Sequence, residues 1–275
     1  MSALYWNDDK PFPGTDRLIP NGYKQLCDIL SKGIDIQLNM PVCAIQRQEN
    51  GVHFLDGVRY YIRTESGDVC CGKHVIVTVP IGVLQKNTIH FDPPLPPKYT
   101  KAISQFGLAS LNWVVLIYDT MWWPDRYHNI TYYVNCTRAS GLKWPWIMNR
   151  RTINPNCPPC LLFVKGGDVG LYIQNTLESE LVIELTSVLS SLFGVPAPPP
   201  VRVIRTNWAS DPYSMCSYSF KSVHFDHSAT KTLATPIQRL HFAGEATDRK
   251  NPATVHGAHL SGVRAALNVI KSFGK

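Results

Sequence analysis

The stretch that most restricts what this chain can fold into runs from Arg239 to Ala266. Leu240 to Ala243 is a short apolar run closed by Gly244. Beyond it, Gly257, Ala258, Gly262, Val263 and Ala266 recur at three- and four-residue spacing. A brief apolar run suits a buried strand and the wider spacing suits one helix face, so the pattern predicts strand, turn and helix, the helix opening near Thr254.

The opening of that helix has a chemical use. Pro252 presets the approach, Thr254 can cap, and the amides of Val255, His256 and Gly257 form the positive end of a helix dipole, which favours anionic atoms. The small residues Gly257, Ala258 and Gly262 let another backbone, or a flat ring, come close. From these residues alone a plain C-terminal packing helix and an anion-binding helix start both remain open.

The wording of the stretch narrows the choice. Phe242-Ala-Gly-Glu-Ala-Thr247, then Pro252-Ala-Thr-Val-His-Gly-Ala258 and Leu260-Ser-Gly-Val-Arg264, resemble the C-terminal signature of the flavin amine oxidases. That family holds polyamine oxidases, monoamine oxidases and lysine-specific histone demethylases, and the Pro-Ala-Thr-Val-His-Gly form is most similar to the demethylase branch. A second stretch, Thr78-Val-Pro-Ile-Gly-Val-Leu84 followed by Ile89-His-Phe-Asp-Pro-Pro-Leu-Pro96, is similar to the same oxidases.

The resemblance implies an α/β fold with an α+β insert: an incomplete Rossmann-like FAD/NAD(P)-binding domain carrying an inserted mixed-sheet substrate domain. The expected segments are 1–84 and 201–275 for cofactor and 85–200 for substrate. It implies an FAD-dependent oxidase of a secondary amine, either a polyamine or an N-methyl-lysine peptide, that forms hydrogen peroxide. Gly244 and Glu245 would then lie at the pyrophosphate, Val42 near the adenine, and Thr78, Val79 and Pro80 along the cofactor. Trp208 and Tyr213 would lie beside the ring system, Thr254 and Val255 at its pyrimidine edge with Ala253 also binding the cofactor, and Tyr218 would be an aromatic wall of the substrate cage. Plain core packing is the competing reading for the three aromatics.

Three departures stand against that pattern. The family opens with a G-x-G-x-x-G dinucleotide fold, and this chain contains no G-x-G, so the N-terminal FAD half is missing and a second chain supplying it is a candidate partner. Relatives carry a lysine, water-linked to the flavin, inside a Leu-Asn-x-Val-Val-Leu strand, where this chain has Trp113. Monoamine oxidases attach FAD through a cysteine directly before the cage tyrosine. Here Ser217 holds that place and Cys216 is one residue early, so FAD is expected to be held non-covalently. A catalytically inactive fragment acting as a binding scaffold is the alternative function.

Composition sets outer limits. The longest apolar runs fall far below the roughly 18 residues of a membrane span, and Met1-Ser-Ala-Leu-Tyr-Trp-Asn-Asp-Asp9 is too polar for a signal peptide, so no membrane partner and an intracellular setting, cytoplasmic or nuclear, are expected. The net charge of +7 is spread along the chain with no run longer than Arg150-Arg151, which favours a solvated surface over direct nucleic-acid binding. Cys157-Pro-Pro-Cys160 lacks the second pair or histidines of a zinc site, so no metal is expected and free buried thiols are. Residues 81–205 hold seven acids against eleven Lys and Arg, so no acidic funnel for polyamines is visible there.

Hydrophobic periodicity predicts helices at Tyr23 to Ser31, Lys98 to Phe106 and Glu178 to Phe193. It predicts strands at Ile34 to Leu38, Val42 to Ile45, Val52 to Phe54, Val58 to Ile62, Leu111 to Tyr118, Tyr132 to Asn135, Leu161 to Lys165 and Val201 to Thr206, with a fully buried strand at His74 to Val79.

Overall fold

The computed structural model describes residues 1–2, 4, 13–15, 19, 21–48, 59–134, 144 and 146–273. In chain order the elements are α1 (Lys24–Leu30), β1 (Val42–Gln48), β2 (Arg59–Thr64), β3 (Val69–Gly72), β4 (Val75–Val77), α2 (Ile81–Lys86), β5 (His90–Asp92), α3 (Pro97–Ser104) and β6 (Phe106–Ala109). There follow β7 (Leu111–Ile117), β8 (Tyr132–Val134), β9 (Trp146–Asn149), β10 (Cys160–Gly166), α4 (Asp168–Asn175), α5 (Glu178–Phe193), β11 (Arg202–Arg205), β12 (Tyr218–Lys221), α6 (His227–Ala234), β13 (Leu240–Phe242) and α7 (Val255–Phe273). They form two compact units, one of Met1–Pro13, Asp35–Ala109 and Ser210–Lys275, the other of Gly14–Ile34 and Ser110–Ala209. These changeovers describe compactness, whereas the expected boundaries at 84/85 and 200/201 divide the chain by what it would bind.

In the first unit β3, β2 and β1 form an antiparallel meander, and β5 adds parallel to the far edge of β1. β13 runs parallel to β4, with Leu240, His241 and Phe242 opposite Val75, Ile76 and Val77. β12 pairs antiparallel with β6. Helix α3 buries Tyr99, Ala102 and Ile103, the three- and four-residue spacing of one face, after a proline in its first turn. The buried Tyr99 hydroxyl donates to the Thr235 carbonyl at 3.0 Å, and Asp226 caps α6 by accepting from the Ser228 amide at 2.6 Å. These elements close one core around Ile45, Tyr60, Val77, Ile103, Phe225 and Phe242.

The second unit is a five-stranded antiparallel sheet in the order β11-β7-β10-β9-β8. Along β7 the residues Asn112, Val114 and Leu116 are buried while Leu111, Trp113, Val115 and Ile117 are only half-buried, the period of two that separates the faces of a strand. The buried face packs with Leu181, Leu185, Val188 and Leu189 of α5, each contributing about 1.5–3 kcal/mol of burial. Helix α5 occupies the predicted residues: Glu178 and Glu180 complement its N-terminal dipole, and Gly194 closes it in a left-handed conformation. Trp123 and Trp144 are core, whereas Trp146 is exposed.

Three expectations differ from the fold. Ile34 to Leu38 forms no strand and its apolar residues are exposed, because among the described residues no strand pairs with it. The expected fully buried strand is only Val75–Val77, with Ile76 38% exposed; Pro80, which has no amide hydrogen to donate to a ladder, instead opens α2. Helix α1 forms, yet its apolar residues Leu26, Ile29 and Leu30 are exposed. The strand expected at Val52 to Phe54 lies outside the described residues.

Candidate functional site

The turn after β13 is built around one carboxylate. Gly244 adopts φ +133°, a conformation that side chains rarely tolerate, and open space lies where a Cβ would project. Its amide donates to Ser261 Oγ of α7 at 2.8 Å. Glu245 then turns back into the unit: Oε1 accepts from the Ser219 amide at 3.0 Å, and Oε2 accepts from Ser219 Oγ at 2.8 Å and from the Ala253 amide at 2.7 Å. Both residues expected at a pyrophosphate therefore have protein partners. Glu245 acts as a brace between β12 and the start of α7.

Beyond the brace the helix start takes the expected form, with one change. Thr254 Oγ1 accepts from the Gly257 amide at 3.0 Å and donates to the Asn251 carbonyl at 2.7 Å. The cap thus uses one of the three amides expected to face an anion, that of Gly257. A Cβ on Gly257 would run into the Asn251 carbonyl, so this glycine admits its own loop backbone and not a ligand ring.

A cavity of about 280 Å³ opens beside this turn, lined by Tyr218, Ser219, Phe106, Lys221, Arg249 and Ala253 among others. It brings together two of the residues expected at the site, Tyr218 from β12 and Ala253 from the helix approach. Lys221 and Arg249, which sequence reasoning did not single out, add cationic groups to its wall. Thr78, exposed, and Val79, half-buried against the core, follow β4, and Pro80 opens α2. Val42, at the start of β1 beside a bulge, also packs on the core, and Tyr213 is exposed, its amide donating to Asp211 Oδ1 at 2.7 Å. The Cys216 thiol is buried, and burial pushes its pKa up. Cys27, Cys70 and Cys71 are exposed, against the expectation of buried thiols, Cys70 and Cys71 because they sit on the short strand β3, whose residues Val69 to Cys71 are all exposed.

In the second unit a polar chain positions two tryptophans. The Trp113 amide donates to Thr206 Oγ1 at 2.8 Å, Thr206 Oγ1 donates to Asn112 Oδ1 at 3.0 Å, and the Trp208 amide donates to the same oxygen at 3.4 Å. Asn112 Nδ2 donates in turn to the Gly170 carbonyl at 2.9 Å. Trp113 stands on the half-buried face of β7 with Val115 and Ile117, and Trp208 is 41% exposed. Asn112 went unrecognised as an organiser, although an amide in an apolar run of alternating burial marks a satisfied polar contact.

Comparison with known proteins supplies the context for these parts. The family model described as "Flavin containing amine oxidoreductase" matches residues 6–270. The chain is 33% identical to "Lysine-specific histone demethylase 1 homolog 3" of Arabidopsis thaliana over 98% of this chain and 17% of that protein. It is 29% identical to "Polyamine oxidase 2" of the same plant over 100% of this chain and 54% of that protein. A solved structure of a redesigned putrescine oxidase matches 92% of this chain and 53% of its own with a TM-score of 0.75 at 18% identity, which shows the mixed α/β amine oxidase fold. The chain thus spans little more than half of these relatives, or less. With motif, fold and nearly every residue aligned to one family model, the chain belongs to the flavin containing amine oxidoreductases.

Proposed function

We propose that this chain is the latter part of an FAD-dependent oxidase of secondary amines, a polyamine or N-methyl-lysine, that holds FAD non-covalently. In this reading segments 1–84 and 201–275 belong to an incomplete Rossmann-like FAD domain and 85–200 to the substrate domain. The observation that carries it is the capped start of α7, pinned by Glu245 through Ala253 beside the cavity that Tyr218 lines.

The residues present fit part of such a cofactor. Ligand sites run from about 300 Å³ upward, so a cavity of about 280 Å³ accommodates a fragment of a dinucleotide and leaves the rest to another segment. The glycine at 244 leaves room for a close approach, and the buried, raised Cys216 thiol is unsuited to covalent attachment. Helix α7 also carries an outward row, Leu260, Val263, Leu267 and Ile270, exposed at 40%, 43%, 48% and 64%. That apolar stripe suits a partner segment supplying the N-terminal half.

When bound, a flavin supplies the acceptor for a hydride equivalent from the carbon next to the amine nitrogen, and dioxygen carries the electrons to hydrogen peroxide. The start of α7 then favours negative charge at its edge. The Tyr218 ring attracts a cationic amine or iminium by roughly 0.5–2 kcal/mol. Trp208 and Tyr213 would be aromatic neighbours of the ring system, Val42 would lie near the adenine, and Thr78, Val79 and Pro80 would lie along the cofactor. The setting proposed is intracellular, with no direct nucleic-acid contact.

Trp113 favours a second reading, a non-catalytic scaffold, because a neutral indole cannot do the work of an ammonium group. The absorbance spectrum of the purified chain with added FAD, alone and with a separately expressed N-terminal half of a relative, tests the first reading. Flavin retained through gel filtration is expected at least in the paired sample, followed by peroxide release from spermine, N-acetylspermine or a methyl-lysine peptide. Retained flavin with no turnover, unchanged by Trp113→Lys, would establish the scaffold; no flavin in either sample would overturn both the cofactor and the pairing.

A further inference from the structure

We propose that Cys157 and Cys160 are a redox-modification site, closing to an intramolecular disulfide when the chain meets a two-electron oxidant of the hydroperoxide class. Their sulfurs lie 3.6 Å apart in the thiol form. A disulfide bond is about 2.05 Å long, so about 1.5 Å of approach closes it, within the swing of two side chains. The backbone already holds the pair. The Cys157 amide donates to the Asn154 carbonyl at 2.9 Å, the Pro159 carbonyl accepts from the Tyr118 amide at 2.9 Å, and Cys160 enters the β10 ladder opposite Ile117. Pro158 and Pro159 between them restrict φ at both intervening positions, so little chain entropy is lost on closure.

The two thiols are unequal. Cys160 is 3% exposed and its thiol is pushed up to about 12 by burial, then by the neighbouring Cys157, with Arg150 opposing. Cys157 is half-buried and meets solvent first. Its thiolate attacks the peroxide, forming an S–O bond as the O–O bond breaks and the departing alkoxide or hydroxide takes a proton. Cys157 no longer carries a thiolate to repel the one forming at Cys160. The Cys160 sulfur then displaces the hydroxyl: the S–S bond forms, the S–O bond breaks, and water leaves with the Cys160 proton. Two thiols are oxidised, one peroxide is reduced, and none of this depends on amine oxidation.

The test uses the full chain, treated with hydrogen peroxide or with oxidised glutathione, then alkylated and digested with trypsin. Both cysteines fall in the peptide of residues 152–165, which holds no others. The expected product is that peptide lighter by two hydrogens, without alkyl groups, restored by dithiothreitol. In Cys160→Ser the remaining Cys157 takes up glutathione, and in Cys157→Ser the buried Cys160 stays a thiol. The proposal fails if the peptide still carries two alkyl groups after exposed Cys27 has become glutathionylated, or if Cys157 and Cys160 are found bridged to other cysteines.

Discussion

The Ala253 amide donates to Glu245 Oε2 at 2.7 Å and so ties the approach of α7 to the turn after β13. Ala253 is held there at φ +57°, a left-handed conformation that costs an alanine about 1–2 kcal/mol. Because the same carboxylate accepts two further hydrogens from Ser219, a Glu245→Gln exchange turns an acceptor into an amide facing a donor. Urea denaturation should record a loss of about 1–3 kcal/mol for this variant. Ala253→Gly, which relieves the left-handed strain while loosening the unfolded chain, should gain up to about 1 kcal/mol.

Two glycines of α7 should respond oppositely to alanine. At Gly257 the added Cβ meets the Asn251 carbonyl, a backbone atom fixed by the loop, so Gly257→Ala should cost about 1–3 kcal/mol. At Gly262 no atom lies within 4 Å of the added Cβ, and Gly262→Ala should raise stability by about 1 kcal/mol through helix propensity alone. Thermal melts of both variants separate these effects.

What the sequence made legible follows from the range of the interactions involved. Helix α5 was readable because Leu181, Leu185 and Leu189 repeat within one element, and β7 because Trp113 to Tyr118 is an unbroken apolar run of strand length. Strands β6 and β12 were not, since each is four residues long and is defined by a partner more than a hundred positions away, as Phe220 is by Gly107. The alternation at Ile34 to Leu38 misled for the same reason: period two describes a strand only when another strand is present to pair with it. At the site, the Thr254 cap was legible because it closes over three residues. The bracing by Glu245 was hidden because its donors stand at 219 and 253.

Asn112 offers a test in the second unit. Its side chain is fully buried and serves Gly170, Thr206 and Trp208. Asn112→Leu keeps the approximate volume and leaves the Thr206 hydroxyl without its Asn112 acceptor, at a cost of about 1–3 kcal/mol. The urea midpoint should fall. The near-ultraviolet circular dichroism should also change, because Trp113 and Trp208 both hang on the chain of bonds that the amide anchors. An unaltered aromatic spectrum would show that strand packing alone holds the two tryptophans.

The first unit should weaken in mild acid through a pair of histidines. His241 Nε2 lies 3.3 Å from His74 Nδ1, and His74 Nε2 lies 2.9 Å from Ser272 Oγ. Since Ser272 Oγ donates to the Val269 carbonyl at 2.6 Å, it accepts from His74 Nε2, which leaves His74 Nδ1 to accept from His241 Nε2. That order requires a neutral His74, and protonating it sets two N–H groups against each other; a second proton on His241 would fall on Nδ1, which is buried without a hydrogen-bond partner among the described residues. Burial lowers the His241 pKa, with the His74 ring and the Arg264 guanidinium adding to it, and burial with Arg239 lowers that of His74. Groups that bind protons more weakly folded than unfolded stabilise the fold above their unfolded value, here 6.5, and lose that contribution as the pH falls through the lowered values. The urea midpoint should therefore hold steady above neutral pH and decline as the pH falls below 6.5. In a His241→Gln variant the decline should shrink; an undiminished decline would assign the acid sensitivity to other groups.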